Sequence, residues 1–200
     1  CIRDRDVLFA TAPPLIGACR RAAARHPEVK ILNCSVAMPY TGVRTYYSRI
    51  FEGKFISGAI AGAMAGDDRI GYVASYPIFG VPASINAFAL GAQLTNPRAR
   101  IFLRWSCCEA DPMAALTAQG VSVVSNRDTP LPDSLGSGWG LCQVLPQGGY
   151  RPLASPVWRW GVFYEKLVRS VLEGGWDELS AVAAVNYWWG FASGAVLSAA

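Results

Sequence analysis

Strand-like and helix-like segments alternate along most of this chain, and that alternation is the strongest constraint on its fold. Residues 6–12 form an apolar, strand-like run that ends at two prolines, and residues 15–26 then show the spacing of an amphipathic helix. The same order recurs from residue 70 onward. Strands that alternate with helices predict an α/β fold of parallel sheets joined by right-handed crossovers.

The expected position of a binding site follows from this fold class. In open α/β sheets, ligands bind beside the carboxyl ends of the strands. Five segments are expected to occupy such ends: residues 11–14, 75–79, 106–108, 126–129 and 155–160. Four aromatic residues fall within them: Tyr76, Phe79, Trp158 and Trp160. Flat rings suit a planar heterocyclic ligand, although packing within the core or at a hinge is the alternative explanation for them.

Composition excludes several classes of protein. Hydrophobic residues make up 52% and charged residues 16% of the 200 residues, which is not the composition of a disordered chain. The net charge of +4 is scattered without a basic run, so no nucleic-acid partner is expected. The most membrane-like segment, residues 55–66, is far shorter than the roughly 20 apolar residues of a membrane-spanning helix. Because the sequence begins with Cys1 and not with Met, we expect a mature or cleaved piece of a longer protein.

The residue types needed for catalysis or metal binding are scarce. His26 is the single histidine, and it lies at the end of a predicted helix, away from the strand ends. No Walker loop or GxGxxG motif is present. Glu109 and Asp111 are close in sequence, but carboxylates at this spacing more often stabilise a helix N-terminus. We therefore expect a protein that is not an enzyme and that uses no cofactor or metal.

The stretch RWSCCEADP, residues 104–112, places Cys107 and Cys108 side by side in an expected strand-to-helix loop. Adjacent cysteines can form a redox pair, part of a metal site, or small filler in a crowded turn. No CxxC spacing supports a metal site. Five cysteines in or beside apolar segments are expected to be buried free thiols: Cys19, Cys34, Cys107, Cys108 and Cys142. Of the adjacent pair, Cys107 is expected to face the binding site and Cys108 to be the less accessible.

Residues 45–97 carry motifs that resemble a known protein family. The motifs are an R-x-x-E-G-x-x-x-x-G pattern over residues 49–58, the strand IGYVAS at residues 70–75, and INAFALGA at residues 85–92. They resemble the core signature of the basic membrane protein (BMP) family, which are substrate-binding proteins of bacterial ABC transporters. The resemblance implies the type I periplasmic-binding-protein fold, with two α/β lobes of parallel sheet around a cleft.

The rest of the chain resembles the same family and sets the expected lobes. Residues 109–120 resemble a helix of the second lobe, residues 155–176 the crossover to the first lobe, and residues 187–196 a closing hairpin. The expected first lobe contains residues 1–67 and 156–178, and the expected second lobe contains residues 68–155 and 179–200. Because the family's opening strands are missing, the first lobe is expected to be incomplete at its N-terminus. Such a lobe should associate with itself or with a partner segment.

The resemblance implies a protein that binds a purine nucleoside or nucleobase for uptake through an ABC transporter permease. Six ligand-binding residues are expected: Thr11, Phe79, Cys107, Asn126, Asp128 and Trp158. The resemblance also implies a lipoprotein anchored to the membrane of the cell envelope, whereas a cytoplasmic location would suit a sensor. The alternative function is that of a regulatory or interaction domain on a degenerate BMP fold, with altered or lost ligand binding.

Two further departures from the family lie where the ligand is expected. The family usually has a longer aromatic loop after the strand that ends at Trp105, and here that loop is shortened to Ser-Cys-Cys. The family's Gly-x-Asp strand end, whose aspartate holds ribose hydroxyls, reads CQVLPQ at residues 142–147. These changes concern recognition of the sugar and leave the fold signature intact.

Overall fold

The computed structural model describes residues 5–36, 39–78, 80–126, 140–176 and 185–199. The strands in these ranges are β1 (Val7–Ala10), β2 (Lys30–Cys34), β3 (Val43–Ser48), β4 (Arg69–Ala74), β5 (Arg100–Trp105), β6 (Val123–Asn126), β7 (Gly140–Val144), β8 (Tyr150–Trp158), β9 (Asn186–Trp189) and β10 (Val196–Ala199). The α-helices are α1 (Ile16–Arg25), α2 (Ile50–Met64), α3 (Val81–Thr95), α4 (Pro112–Ala118) and α5 (Trp160–Leu172). The predicted α/β fold is confirmed.

The chain divides into two compact units. Unit 1 consists of Cys1–Arg49 and Arg159–Ala195, and unit 2 consists of Ile50–Trp158 and Val196–Ala200. Strands β1 and β4 lie in different sheets, as the sequence predicts. Relative to the expected lobes, residues 50–67 and 156–158 lie in unit 2, and residues 185–195 lie in unit 1. Helix α2 belongs to unit 2 because it packs against α3 and β8, and β9 belongs to unit 1 because it pairs with β3.

Unit 1 is built on a four-stranded sheet in the order β1-β2-β3-β9, with every pair parallel. Helix α1 packs on one face, where Cys19 and Ala23 join a cluster with Ile31 of β2. Helix α5 packs on the same sheet through Phe163 and Leu167. A parallel sheet needs such cover because its strands carry apolar side chains on both faces.

Unit 2 is built on a six-stranded sheet in the order β10-β8-β7-β6-β4-β5. Strand β4 is parallel to both β5 and β6, whereas β7 is antiparallel to β6 and β8, and β10 is antiparallel to β8. One core cluster contains Ile70 and Tyr72 of β4 with Phe88 of α3. A second cluster contains Val73 of β4 with Leu116 of α4. The parallel core of this sheet is therefore extended by antiparallel strands on one side.

Helices α2 and α3 of unit 2 pack at very short range. A Cβ atom added at Gly58 would overlap the backbone carbonyl of Phe88, and one added at Gly91 would overlap that of Phe55. A Cβ at Gly53 would lie 2.6 Å from Pro156 Cβ, so glycine also lets α2 approach β8. Among the described residues, no helix combines the length and the apolar character that crossing a membrane requires. The small residues of α2 therefore serve close packing inside unit 2.

Two local predictions are wrong. Residues 45–66 have the length and spacing that predict one helix, but the helix begins at Ile50, because residues 43–48 form β3 and pair with β2. The expected closing strand pair does not form, since β9 joins β3 in unit 1 and β10 joins β8 in unit 2. In both cases the pairing partner is distant in sequence, and a local pattern does not reveal it.

Candidate functional site

The carboxyl ends of four strands meet at one edge of the unit 2 sheet. Strands β4, β5 and β6 are mutually parallel, and β8 runs in the same direction because both β6 and β8 are antiparallel to β7. This edge carries three of the expected ligand-binding residues: Cys107, Asn126 and Trp158. We call it the carboxyl edge of unit 2.

Asn126 and Trp158 lie on nearby strands of this edge. Asn126 is the buried last residue of β6 and faces Gly140 of β7, and Trp158 is the partly buried last residue of β8. One strand, β7, lies between them, so the strand spacing places β6 and β8 about 10 Å apart. Strand β8 continues four residues past Ala154, the partner of Leu141, before it ends at Trp158. An amide that can donate and accept hydrogen bonds and a large ring therefore belong to the same sheet edge, on different strands.

The loop after β4 adds exposed apolar surface to the same edge. Tyr76 and Ile78 are each 60% exposed. Exposed aromatic side chains in a strand-end loop are the surface on which flat ligands stack. The sequence singled out Tyr76 for this reason, and its exposure agrees with that interpretation.

The adjacent cysteines also lie at this edge, but they are not buried as expected. Both Cys107 and Cys108 are exposed free thiols, and their Sγ atoms are 3.6 Å apart. The backbone N–H of Cys107 donates to Ser75 O at 3.3 Å, which holds the loop against the end of β4. Strand β5 is the last strand of its sheet, so the turn that follows it is covered on fewer sides than an interior turn. Cys19 and Cys142 are buried, as predicted.

Cys107 is expected to react slowly with iodoacetamide near neutral pH. Loss of surrounding water, together with the neighbouring Cys108 thiol, raises the pKa of Cys107 above its ordinary value. The thiolate is the reactive form, so a raised pKa lowers the rate at pH 7 to 8 and makes it climb as the pH passes 9. Peptide mass spectrometry across this pH range measures the rate, with a short cysteine peptide as the reference. Labelling at pH 7.5 faster than that of the peptide would contradict the expectation.

The carboxylates beside these cysteines have structural partners. Glu109 accepts a hydrogen bond from Arg104 at 3.1 Å, across a partly exposed ion pair. Asp111 caps α4 and accepts from the backbone N–H of Ala114 at 2.9 Å, as the sequence predicts. Asp111 thus serves a helix N-terminus as expected, whereas Glu109 pairs with an arginine of β5.

Thr11 is the one expected ligand-binding residue that the structure places in unit 1. It is exposed and directly follows β1. The side chain of Asn33 in β2, which is fully buried, donates to Ala12 O at 2.9 Å and to Ala10 O at 3.4 Å. Asn33 therefore fixes the backbone on both sides of Thr11. Sequence reasoning did not identify Asn33, because it follows an apolar run and forms no motif.

Trp160 packs inside unit 1 and is not a free strand-end ring. It stacks on Tyr164 with ring centroids 6.4 Å apart and meets the edge of Tyr46 at 5.5 Å. The hydroxyls of Tyr46 and Tyr164 are 3.2 Å apart. Burial raises the pKa of Tyr46, and it raises the pKa of the neighbouring Cys34 thiol to about 11. The Tyr46 hydroxyl and the Cys34 thiol are therefore neutral at physiological pH, and both side chains pack in a core cluster of unit 1.

Lys54 is a residue near the carboxyl edge that sequence reasoning missed. It lies in the first turns of α2 and is 1% exposed, and its Nζ donates to Ser125 Oγ at 3.1 Å. A lysine in a helix that is largely apolar normally extends to solvent. The glycines and serines near Lys54 in the sequence are the signal that could have indicated its burial. Small residues allow neighbouring elements to pack around the lysine side chain.

Two expected ligand-binding residues, Phe79 and Asp128, lie outside the described residues. Within the described ranges, no group of three or more His, Cys, Asp or Glu side chains is placed to hold a metal ion. The described carboxyl edge therefore carries an amide, the exposed ring of Tyr76, the partly buried ring of Trp158 and a thiol pair.

Known proteins resemble this chain over nearly its whole length. It is 30% identical over 204 aligned residues to a putative ABC transporter glucose-binding protein of Haloferax volcanii, covering 96% of this chain and 51% of the relative. It is 28% identical to a purine-binding protein of Brucella abortus, covering 95% of this chain and 56% of that relative. The chain thus spans about half the length of the curated relatives it matches.

The fold and the family are also found by comparison. An ABC transporter solute-binding protein from Conexibacter woesei superposes with a TM-score of 0.68 at 12% identity, covering 99% of this chain and 70% of the other. The family model described as ABC transporter substrate-binding protein, PnrA-like, matches residues 3–118. This match covers more than half of the chain and includes the R-x-x-E-G and IGYVAS motifs. The chain therefore belongs to the Bmp family of ABC transporter substrate-binding proteins.

Proposed function

We propose that this protein binds a purine nucleobase or nucleoside for an ABC transporter. The observation that carries the proposal is the carboxyl edge of unit 2, where Asn126 and Trp158 end two nearby strands. A purine offers a flat ring to stack on an indole, and ring nitrogens that pair with an amide. The name of the Brucella relative, a purine-binding protein, supports the same ligand class.

Glucose is the second candidate ligand. The Haloferax relative is described as a putative glucose-binding protein. A sugar is recognised mainly through its hydroxyl groups, which call for several polar partners. The described carboxyl edge offers exposed apolar surface at Tyr76 and Ile78, and this surface favours the purine.

Isothermal titration calorimetry of the chain with adenine, adenosine, guanosine and glucose tests the proposal. We expect saturable binding of at least one purine compound and no heat of binding from glucose. Competition between adenine and adenosine then shows whether they share one site. Binding of glucose without any purine would contradict the choice of ligand. Binding of none of the four compounds would favour the alternative of a regulatory or interaction domain.

The proposed role extends to location and partners. Substrate-binding proteins of ABC transporters deliver their ligand to a membrane permease, so the protein is proposed to act in the cell envelope, anchored as a lipoprotein. Family membership supports this role. The proposal includes no catalytic step, since capture and delivery of a ligand require none.

Unit 1 is proposed to self-associate through β1. Within the described residues this strand pairs with β2 alone, which leaves its other backbone edge unpaired. A groove of about 470 Å³ follows that edge, lined by Val7 and Phe9 of β1 and by residues of α5 that include Leu172. Leu172 is 82% exposed. An unpaired strand beside apolar surface is a template for a second copy, whose β1 would pair in antiparallel fashion about a two-fold axis.

Sedimentation velocity at rising protein concentration is expected to show a monomer–dimer equilibrium. Leu172→Glu should shift that equilibrium toward the monomer, because a charge then occupies the groove. Leu94→Glu is the matched control, since Leu94 is a similarly exposed leucine, 68% exposed, on α3 of unit 2. A monomer at every concentration tested, or equal effects of the two substitutions, would contradict the proposed interface.

A further inference from the structure

The buried ammonium group of Lys54 lies beneath the carboxyl edge of unit 2. Its Nζ is 3.1 Å from Ser125 Oγ and 5.1 Å from the centroid of the Tyr72 ring. Tyr72 is fully buried, and Ser125 is paired with it across β4 and β6. The side chain thus connects α2 to two strands, at the residue that immediately precedes Asn126.

Stability alone does not account for a lysine at this position. Removing an ammonium from water costs several kcal/mol, and hydrogen bonds recover part of that cost. A methionine has nearly the same length and would fill the space among Tyr72 and the small residues of α2 without this penalty. A buried charge of this kind instead specifies one arrangement of the groups that it contacts, because other arrangements leave it without its hydrogen bonds.

We propose that Lys54 is a positioning residue for ligand binding. It fixes Ser125 and thereby holds the last residue of β6, Asn126, in the orientation that presents its amide at the carboxyl edge. Strand β6 is four residues long, and its pairing with β4 ends at Ser125. The contact from Lys54 is therefore an anchor for this short strand that is independent of the sheet ladder. The link to affinity rests on the proposed function, whereas the ordering of β6 does not.

Hydrogen exchange tests the ordering of β6 without any ligand. In Lys54→Met, the backbone amides of Ser125 and Asn126 should exchange at least about tenfold faster than in the unsubstituted chain, because the strand end loses its anchor. The amides of Val73 and Ala74 in the adjacent β4 should be unchanged. Unchanged exchange at Ser125 and Asn126 would overturn the proposal. If Lys54→Met does not fold, Ser125→Ala removes the acceptor hydroxyl alone and should give the same local effect.

A double-mutant cycle tests the link to the ligand, with adenine or adenosine as the titrant. Lys54→Met should weaken binding about tenfold in the unsubstituted chain and produce no further loss in an Asn126→Ala background. If the two substitutions instead reduce the affinity by independent factors that multiply in the double variant, Lys54 does not act through Asn126. Should the unsubstituted chain bind no purine, the proposed function fails, and the exchange experiment still decides whether Lys54 orders β6.

Ser57→Ala is the matched control for both experiments. Ser57 is also buried and lies three residues further along α2, but its Oγ donates to Gly53 O of the same helix at 3.0 Å. Its loss should change the global free energy of unfolding and leave both the exchange at Asn126 and the ligand affinity as they were. An equal effect of Ser57→Ala on Asn126 exchange would reduce Lys54 to a general packing role and overturn the proposal.

Discussion

Gly58→Ala is expected to lower the free energy of unfolding of unit 2 by about 3 kcal/mol, at the upper end of the usual cost of overpacking a core. The added methyl group would overlap the Phe88 carbonyl, and backbone cannot move aside as the tip of a side chain can. Helices α2 and α3 must therefore separate along their contact, which also opens the core around Tyr72 and Phe88.

Urea denaturation followed by circular dichroism measures this change, and hydrogen exchange of β4 assigns it to unit 2. Gly161→Ala is the matched control, because Gly161 lies in α5 and nothing surrounds the position of its added Cβ within 4 Å. That substitution should leave stability unchanged or raise it by up to about 1 kcal/mol. Similar denaturation midpoints for Gly58→Ala and the unsubstituted chain would mean that the two helices are not in close contact.

Trp158→Ala is expected to weaken purine binding by several-fold to about a hundredfold. Stacking of a base on an aromatic side chain contributes about 1–3 kcal/mol, and Trp158 is the large ring at the end of β8. Its backbone pairs with Val196 of β10, so the strand itself should survive the loss of the ring.

Calorimetric titration with the best purine ligand measures the effect, and far-UV circular dichroism checks the fold. Trp158→Phe is the control, since it retains a flat ring in the same position and should recover most of the affinity. Equal affinity of the alanine variant and the unsubstituted chain would identify Trp158 as a packing residue. The ligand would then bind through other groups.

The sequence alone predicts secondary structure correctly where the local residue pattern agrees with the final fold. From β4 to β6, strands alternate with helices, and the strand predicted at residues 70–75 and the helix predicted within residues 109–120 agree with β4 and α4. The N-cap at Asp111 was predicted because its spacing from Pro112 has a local physical cause. The same alternation predicts strand ends near Asn126 and Trp158, and these residues end β6 and β8.

Other features depend on contacts between distant residues. Strand β9 pairs with β3 across some 140 positions, as in the match of Thr45 with Asn186, and nothing near either segment indicates the partner. From the sequence alone, Lys54 is expected to be exposed to solvent. It is instead buried against Ser125, which lies 71 residues later in the chain. The cysteine pair was assigned to the interior because an apolar run precedes it. Its exposure was decided by the position of β5 at the end of the sheet.

The discontinuous make-up of the two units has a consequence for synthesis on the ribosome. Five of the six strands of unit 2 lie within Ile50–Trp158, so most of that sheet is available as soon as this stretch has been translated. The second segment of unit 1 is translated later: α5 and β9 follow Trp158, and until they emerge the sheet made by β1, β2 and β3 has no cover from α5. Exposed apolar strands in nascent chains are the usual targets of chaperones and the usual start of aggregation. Strands β1, β2 and β3 are thus translated well before α5 and β9, and their apolar side chains lack that cover during the interval.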